Sequence, residues 1–258
     1  MNTSFPPLDQ NALNESAVYF ASDTHLHEDH PESADAFCRF LQAIRPTAKA
    51  LYLLGDVFEA WIGDDHLTPF NQRMIDELKR STDVHPCFLL PGNRDILMGK
   101  RFHHMTGCQA IPDEHVIDLY GQRCLLSHGD RYCLADLGHQ RYRRITQKRW
   151  LCRLVASLPL KWRIHIATAM RQQSKKHQSK IQPYTMDVTP DAIVTALETH
   201  RCTTLIHGHT HQAGTHDVTG KSNNAQRIVL GDWEEKQAVI LRVTETQKHL
   251  MSFSITTD

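Results

Sequence analysis

Five short clusters of Asp, His and Asn, each closing an apolar run, constrain this chain more than any other feature. They are Asp23-Thr-His25, Gly55-Asp56, Gly92-Asn93-Arg94, His128-Gly-Asp130 and His207-Gly-His209, following VYFAS, ALYLL, CFLL, RCLLS and TTLI. Apolar runs this short, rich in branched and aromatic side chains, read as buried strands. Ligand-type residues at the ends of successive strands converge on one crevice although they lie far apart in sequence. The pattern predicts a metal site on the rim of a sheet.

The donors are carboxylates, imidazoles and one amide, without a thiolate: Asp23, His25, Asp56, Asn93, His128, His207 and His209. Oxygen with imidazole suits Mn, Fe, Co, Ni or Zn and argues against a structural zinc cage. So many donors exceed one ion and match two that share a carboxylate. Two ions roughly 3.5–4 Å apart clamp phosphoryl oxygens and activate water for in-line attack. Asp56 is the expected bridge. Gly55, Gly92, Gly129 and Gly208 each stand beside a donor, where the absence of Cβ permits close approach. A lone Asp-x-His or Gly-Asp is more often a turn. Their co-occurrence, ending in three alternate histidines of HGHTH, carries the inference.

DTH, GDVFEAWIGDD, GNRD, HGD and HGHTH resemble the five blocks of the calcineurin-like metallophosphoesterases. The longer forms LLPGNRDILMGKRF, LLSHGD, LIHGHTH and VLGDW resemble the branch that hydrolyses the pyrophosphate of UDP-2,3-diacylglucosamine in lipid A synthesis. The resemblance runs from about Val18 to the end of the chain. It implies an α/β fold, a four-layer αββα sandwich with a helical cap insertion at about 136–186. It implies two divalent ions, with Mn²⁺ expected. Asp23, His25, Asp56 and His209 would hold the first, and Asp56, Asn93, His128 and His207 the second. Arg94 would bind phosphate alongside Asn93 and His207. Asp136 occupies a substrate-contacting position, and Ser174, Gln178 and Lys180 fall in the matching polar run. SKKHQSKIQPY departs from the family pattern there, as do Thr24 and Gln212-Ala213 beside the ligands. The implied reaction is water attack on the α phosphorus, releasing UMP and 2,3-diacylglucosamine 1-phosphate. Glu59, Asp64 and Asp65 read as supporting residues, and Trp61 and Trp233 as packing.

The 258 residues suffice for one substantial core, and acids balance bases. Seven cysteines, an odd number without a Cys-x-x-Cys pair, favour buried free thiols and a reducing cytoplasm. Residues 1–16 read as a flexible extension before a domain at 17–258, with neither a signal peptide nor a membrane span.

Strand and helix patterns alternate through the first half. Strands are expected at 18–22, 50–54 and 87–90, with helices at 32–44 and 69–80. A hairpin at 116–127 follows, then a helix at 191–199 and a largely antiparallel tail. Between Asp136 and Asp187 there is no acid but a dozen Lys and Arg, interleaved with Trp150, Leu151, Leu154, Trp162 and Ile164. This reads as basic amphipathic helices facing a membrane or polyanion. On composition alone a solvated helical pair is the plainer reading; the resemblance adds the expectation of peripheral association with the cytoplasmic face of an inner membrane, without an obligate protein partner. A nucleic-acid substrate is the nearest rival, but no aromatic stacking platform is evident. A silent scaffold on the same fold would be expected to lack ligands.

Overall fold

The computed structural model describes residues 5–178, 187–219, 225–233 and 237–256. The first sheet runs in the order β11-β10-β1-β2-β3-β4. Its strands are β1 (Ala17–Ala21), β2 (Ala48–Leu53), β3 (Cys87–Leu89), β4 (Gln109–Ala110), β10 (Gln237–Val243) and β11 (Lys248–Ser254). Strands β1 to β4 are parallel, while β10 and β11 add antiparallel. The second sheet runs β5-β6-β7-β9-β8. It comprises β5 (His115–Leu119), β6 (Gln122–Ser127), β7 (Thr204–His207), β8 (Gly214–Asp217) and β9 (Gln226–Val229). Here β6, β7 and β9 are parallel, flanked by antiparallel edges.

Period-two alternation distributes the side chains among the layers. Along β1, Val18 and Phe20 enter the core between the sheets with Leu126, Ile206 and Ile228. Tyr19 and Ala21 point the other way, into a layer of α2 (Pro31–Ile44), α3 (Pro69–Thr82) and α4 (Lys100–Thr106). On the far side, Leu125 and Leu205 pack on α8 (Pro190–His200) through Ile193, Ala196 and Leu197. The fold is the four-layer sandwich expected from the sequence. Phe20, Tyr52 and Phe88 lie in register on three adjacent strands and stack at 5.0 and 4.7 Å between centroids. Such cross-strand aromatic pairs fix register as well as adding apolar burial.

The amino-terminal segment differs from a free extension. Ser252 of β11 donates its N–H to the Pro6 carbonyl, and Leu8 donates to Ser252. A short α1 (Gln10–Leu13), capped by Asp9, follows. Strand β11 is a sheet edge with unpaired backbone groups, which residues 5–8 cover. None of the seven cysteines, all among the described residues, is in a disulfide.

The acid-free stretch forms α5 (Leu137–Thr146), α6 (Arg149–Ser157) and α7 (Leu160–Gln178). Trp150, Leu154 and Trp162 are exposed. Three of its arginines turn inward instead. Arg143 pairs with Asp113 and Asp130, each at 2.8 Å. Arg163 is buried, pairs with Asp65 and donates to the Ile62 carbonyl at 2.6 Å. Arg171 meets Glu59 at 2.8 Å. The basic stretch is thus both a surface and a set of anchors. No helix among the described residues is long and apolar enough to cross a membrane.

Candidate metal centre

Each ligand-bearing loop leaves the carboxyl end of a strand at one rim of the two sheets. The turn there is sharp. Asp23, His25, Asp56, His209 and His211 all have φ between 43° and 68°. Non-glycine residues in this left-handed region store about 1–3 kcal/mol each, and such strain concentrates at functional sites. The loops brace one another. His25 donates its backbone N–H to the Asp56 carbonyl, Asp23 to Gly55, and Thr24 its hydroxyl to Val57 at 2.7 Å.

Among the described residues, two groups of donors face one another closely enough to share ions: Asp23 with His25 and His211, and Asp23 with Asp56 and His128. The Asn93 amide completes the second, 3.4 Å from His128 Nε2 and 3.3 Å from His209 Nδ1. His128 Nδ1 is engaged by the Leu54 carbonyl at 2.9 Å, which turns Nε2 towards Asp56 Oδ2 at 3.6 Å. Asp56 Oδ1 accepts the Arg94 backbone N–H. Its second oxygen therefore faces the centre. Asp23 is common to both groups.

The donor set fits divalent cations. Asp23 Oδ1 and both His25 nitrogens are buried without a hydrogen-bond partner, an expensive state unless an ion satisfies them. The local potential is negative. Burial opposes charge on His128, but Asp56, Asp23 and Asp130 outweigh it and push the imidazole up to about 9. Burial likewise opposes charge on His211, yet Asp23 and Asp232 push it up to about 11. Burial also works against the Asp23 carboxylate, but His211, His128 and His25 hold it well below the usual range. Burial, and then the His128 charge, keep His209 down at about 3, as a neutral imidazole with a free lone pair.

His207 and His209 stand on either side of Gly208. His207 is fully buried, with Nδ1 against the Gly208 carbonyl at 2.8 Å and Nε2 without a hydrogen-bond partner. Burial keeps it down at about 4, a neutral imidazole. His211, not among the expected ligands, also lies beside the centre, with Nε2 3.5 Å from Asp23 and Nδ1 2.8 Å from Asp232. The third histidine of HGHTH was the available signal.

The remaining expected residues separate clearly. Arg94 lies beside the centre, its Nη1 on Glu59 at 2.6 Å and its Nε 3.7 Å from Asp56. Asp136 is buried and caps α5, accepting the His139 N–H at 2.8 Å. Ser174 and Gln178 lie on α7 with undescribed side chains, and Lys180 lies outside the described residues. Asp64 accepts from Trp61, Gly99 and Phe102, which makes it a loop anchor. Trp61 and Trp233 are buried in the helical layer. Asp130 pairs with Arg143 and His139 across the cap boundary.

Gly92 touches the centre most tightly, since a Cβ there would overlap the Asp56 backbone nitrogen and carboxylate. Gly92→Ala is expected to displace Asp56 and lower kcat by about 10²-fold or more, the range for misplaced catalytic groups. Unchanged turnover in a steady-state assay would contradict this placement.

Residues 17–213 match the calcineurin-like phosphoesterase family. A UDP-2,3-diacylglucosamine hydrolase of Coxiella burnetii is 42% identical over 236 residues, 92% of this chain and 97% of that protein. Proteins of the same name from Aeromonas salmonicida and Escherichia fergusonii are 46% and 41% identical, covering 87% and 92% of this chain and 89% and 99% of theirs. The convergent donors, the strained loops and this near full-length similarity agree: the chain belongs to the calcineurin-like phosphoesterases, in the group of these hydrolases.

Proposed function

We propose that the protein hydrolyses the pyrophosphate of UDP-2,3-diacylglucosamine by water attack on the α phosphorus, yielding UMP and 2,3-diacylglucosamine 1-phosphate. The observation that carries this reading is an intact donor set with Arg94 beside it, beneath a helical cap both basic and apolar. Asp23, His25, Asp56 and His209 would hold one divalent ion, and Asp56, Asn93, His128 and His207 the other, with Mn²⁺ the proposed occupant of both. When bound, the ions supply Lewis acidity, lowering the pKa of water and neutralising phosphoryl charge. Arg94 presents a planar fork to two phosphate oxygens. Asn93 contributes its amide carbonyl as donor, leaving its NH₂ to reach a phosphate. Burial of the imidazoles keeps His209 free of a competing proton.

The test is chelator-stripped protein assayed for UMP release with and without added Mn²⁺. Turnover that returns with Mn²⁺ and is lost in Asp56→Ala supports the reading. Hydrolysis of bis-p-nitrophenyl phosphate alone would keep the chemistry and overturn the substrate.

Peripheral attachment to the inner membrane is proposed through the exposed Trp150, Leu154 and Trp162 with Arg144, Arg153 and Lys161. Flotation with anionic liposomes is expected to weaken by about 1 kcal/mol for each basic residue removed. Flotation unchanged in Arg153→Glu/Lys161→Glu would refute it. Arg143 is unsuited to that test because its charge is spent on Asp113 and Asp130.

A further inference from the structure

Glu59 follows the second ligand block and coordinates nothing in either donor group, yet three separate elements of the site meet on it. One oxygen, Oε2, lies 2.6 Å from Arg94 Nη1 and 3.5 Å from His25 Nδ1. The other, Oε1, lies 2.8 Å from Nε of Arg171, on the cap helix α7. The carboxylate side chain is only 11% exposed, so these charges interact with little screening. The Glu59 backbone is fixed too, donating to the Leu26 carbonyl at 3.1 Å beside the Leu26–Phe58 bridge. Arg94 and Arg171 therefore share one rigidly mounted anion.

We propose that Glu59 is a positioning residue that couples the cap to the phosphoryl site, so that seating α7 and aiming Arg94 are a single event. This rests on the hydrolase reading for its consequence, but the coupling is a property of the protein alone. Arg171 holds one face of the carboxylate and fixes its rotamer. The other face then holds the Arg94 fork beside Asp56 and keeps the outer nitrogen of His25 aligned. Partners of this kind orient the groups they touch, and their loss costs about 10–100-fold in affinity or activity. Substrate seated under the cap would find the arginine already placed, avoiding the cost of ordering it at that moment. Without Glu59, two guanidinium groups face the same space with no shared counter-charge.

The first experiment is hydrogen exchange on the full-length, Mn²⁺-supplemented protein. Glu59→Gln and Arg171→Ala are each expected to speed exchange in α7 and in residues 92–95, with β1 and β2 unchanged. Unchanged exchange in residues 92–95 on loss of Arg171 would overturn the coupling, whatever the substrate is. The second is a double-mutant cycle on UMP release. Arg171→Ala is expected to lower kcat about tenfold in the otherwise native chain and by less than about twofold in Glu59→Gln. Glu59→Gln itself should lower kcat and raise KM together. Equal losses from Arg171→Ala in both backgrounds would sink the proposal. No UMP release from the unsubstituted protein would instead overturn the substrate reading, and the exchange experiment would still decide the coupling.

Discussion

His207→Ala is expected to lower UMP release by more than about a hundredfold, beyond what the loss of an outer partner costs, and to reduce bound metal. His211→Ala should keep more of its metal and lower kcat by about 10–100-fold. The contrast follows from geometry. His207 has Nδ1 held by the Gly208 carbonyl and a buried Nε2 without a hydrogen-bond partner, the arrangement that orients a metal-binding imidazole. His211 has both nitrogens engaged, Nε2 3.5 Å from Asp23 and Nδ1 2.8 Å from Asp232. Metal analysis of the purified variants beside steady-state kinetics decides between them. Metal lost from His211→Ala and kept in His207→Ala would overturn the ligand set read from the sequence.

The second large effect concerns stability. Arg143→Ala removes the one guanidinium that bridges Asp113 and Asp130. Asp130 is 2% exposed, and it stays ionised against burial because His139, His128 and Arg143 favour its charge. Breaking a buried pair by deleting one partner costs about 3–5 kcal/mol because a charge is left uncompensated. Asp113 also accepts from Ser127 and from the backbone of His128. The damage should therefore reach the centre through the loop carrying His128. A fall of about 6–12 °C in Tm is expected for a chain of this size, measured calorimetrically, with a further loss of activity below the melting range. Arg144→Ala, at an exposed position one residue along, should shift Tm by less than a degree or two. Equal shifts for the two would show that the cap is not anchored at Arg143.

The elements most legible in sequence were the strands written as short apolar runs with clear ends. Strands β1, β2 and β3 were read within one or two residues of their observed bounds. The weak elements escaped. Strand β4 has two residues, both exposed, and depends on pairing with β3. Helix α1 has four residues, too short for a helical period to register.

By itself the sequence determined the donor chemistry, the order of strands and loops, and the family. These depend on residue identity and local periodicity, which a chain carries before it folds. Only the tertiary structure decided which face of a strand end meets the crevice. His207, His209 and His211 alternate identically in sequence, yet His207 is buried with Nδ1 on the Gly208 carbonyl while His211 sits between Asp23 and Asp232. It also decided which basic residues of the cap are surface and which are anchors. Arg143, Arg163 and Arg171 differ from their neighbours only in the acids that other segments bring within reach, and those acids lie between 13 and 112 residues away.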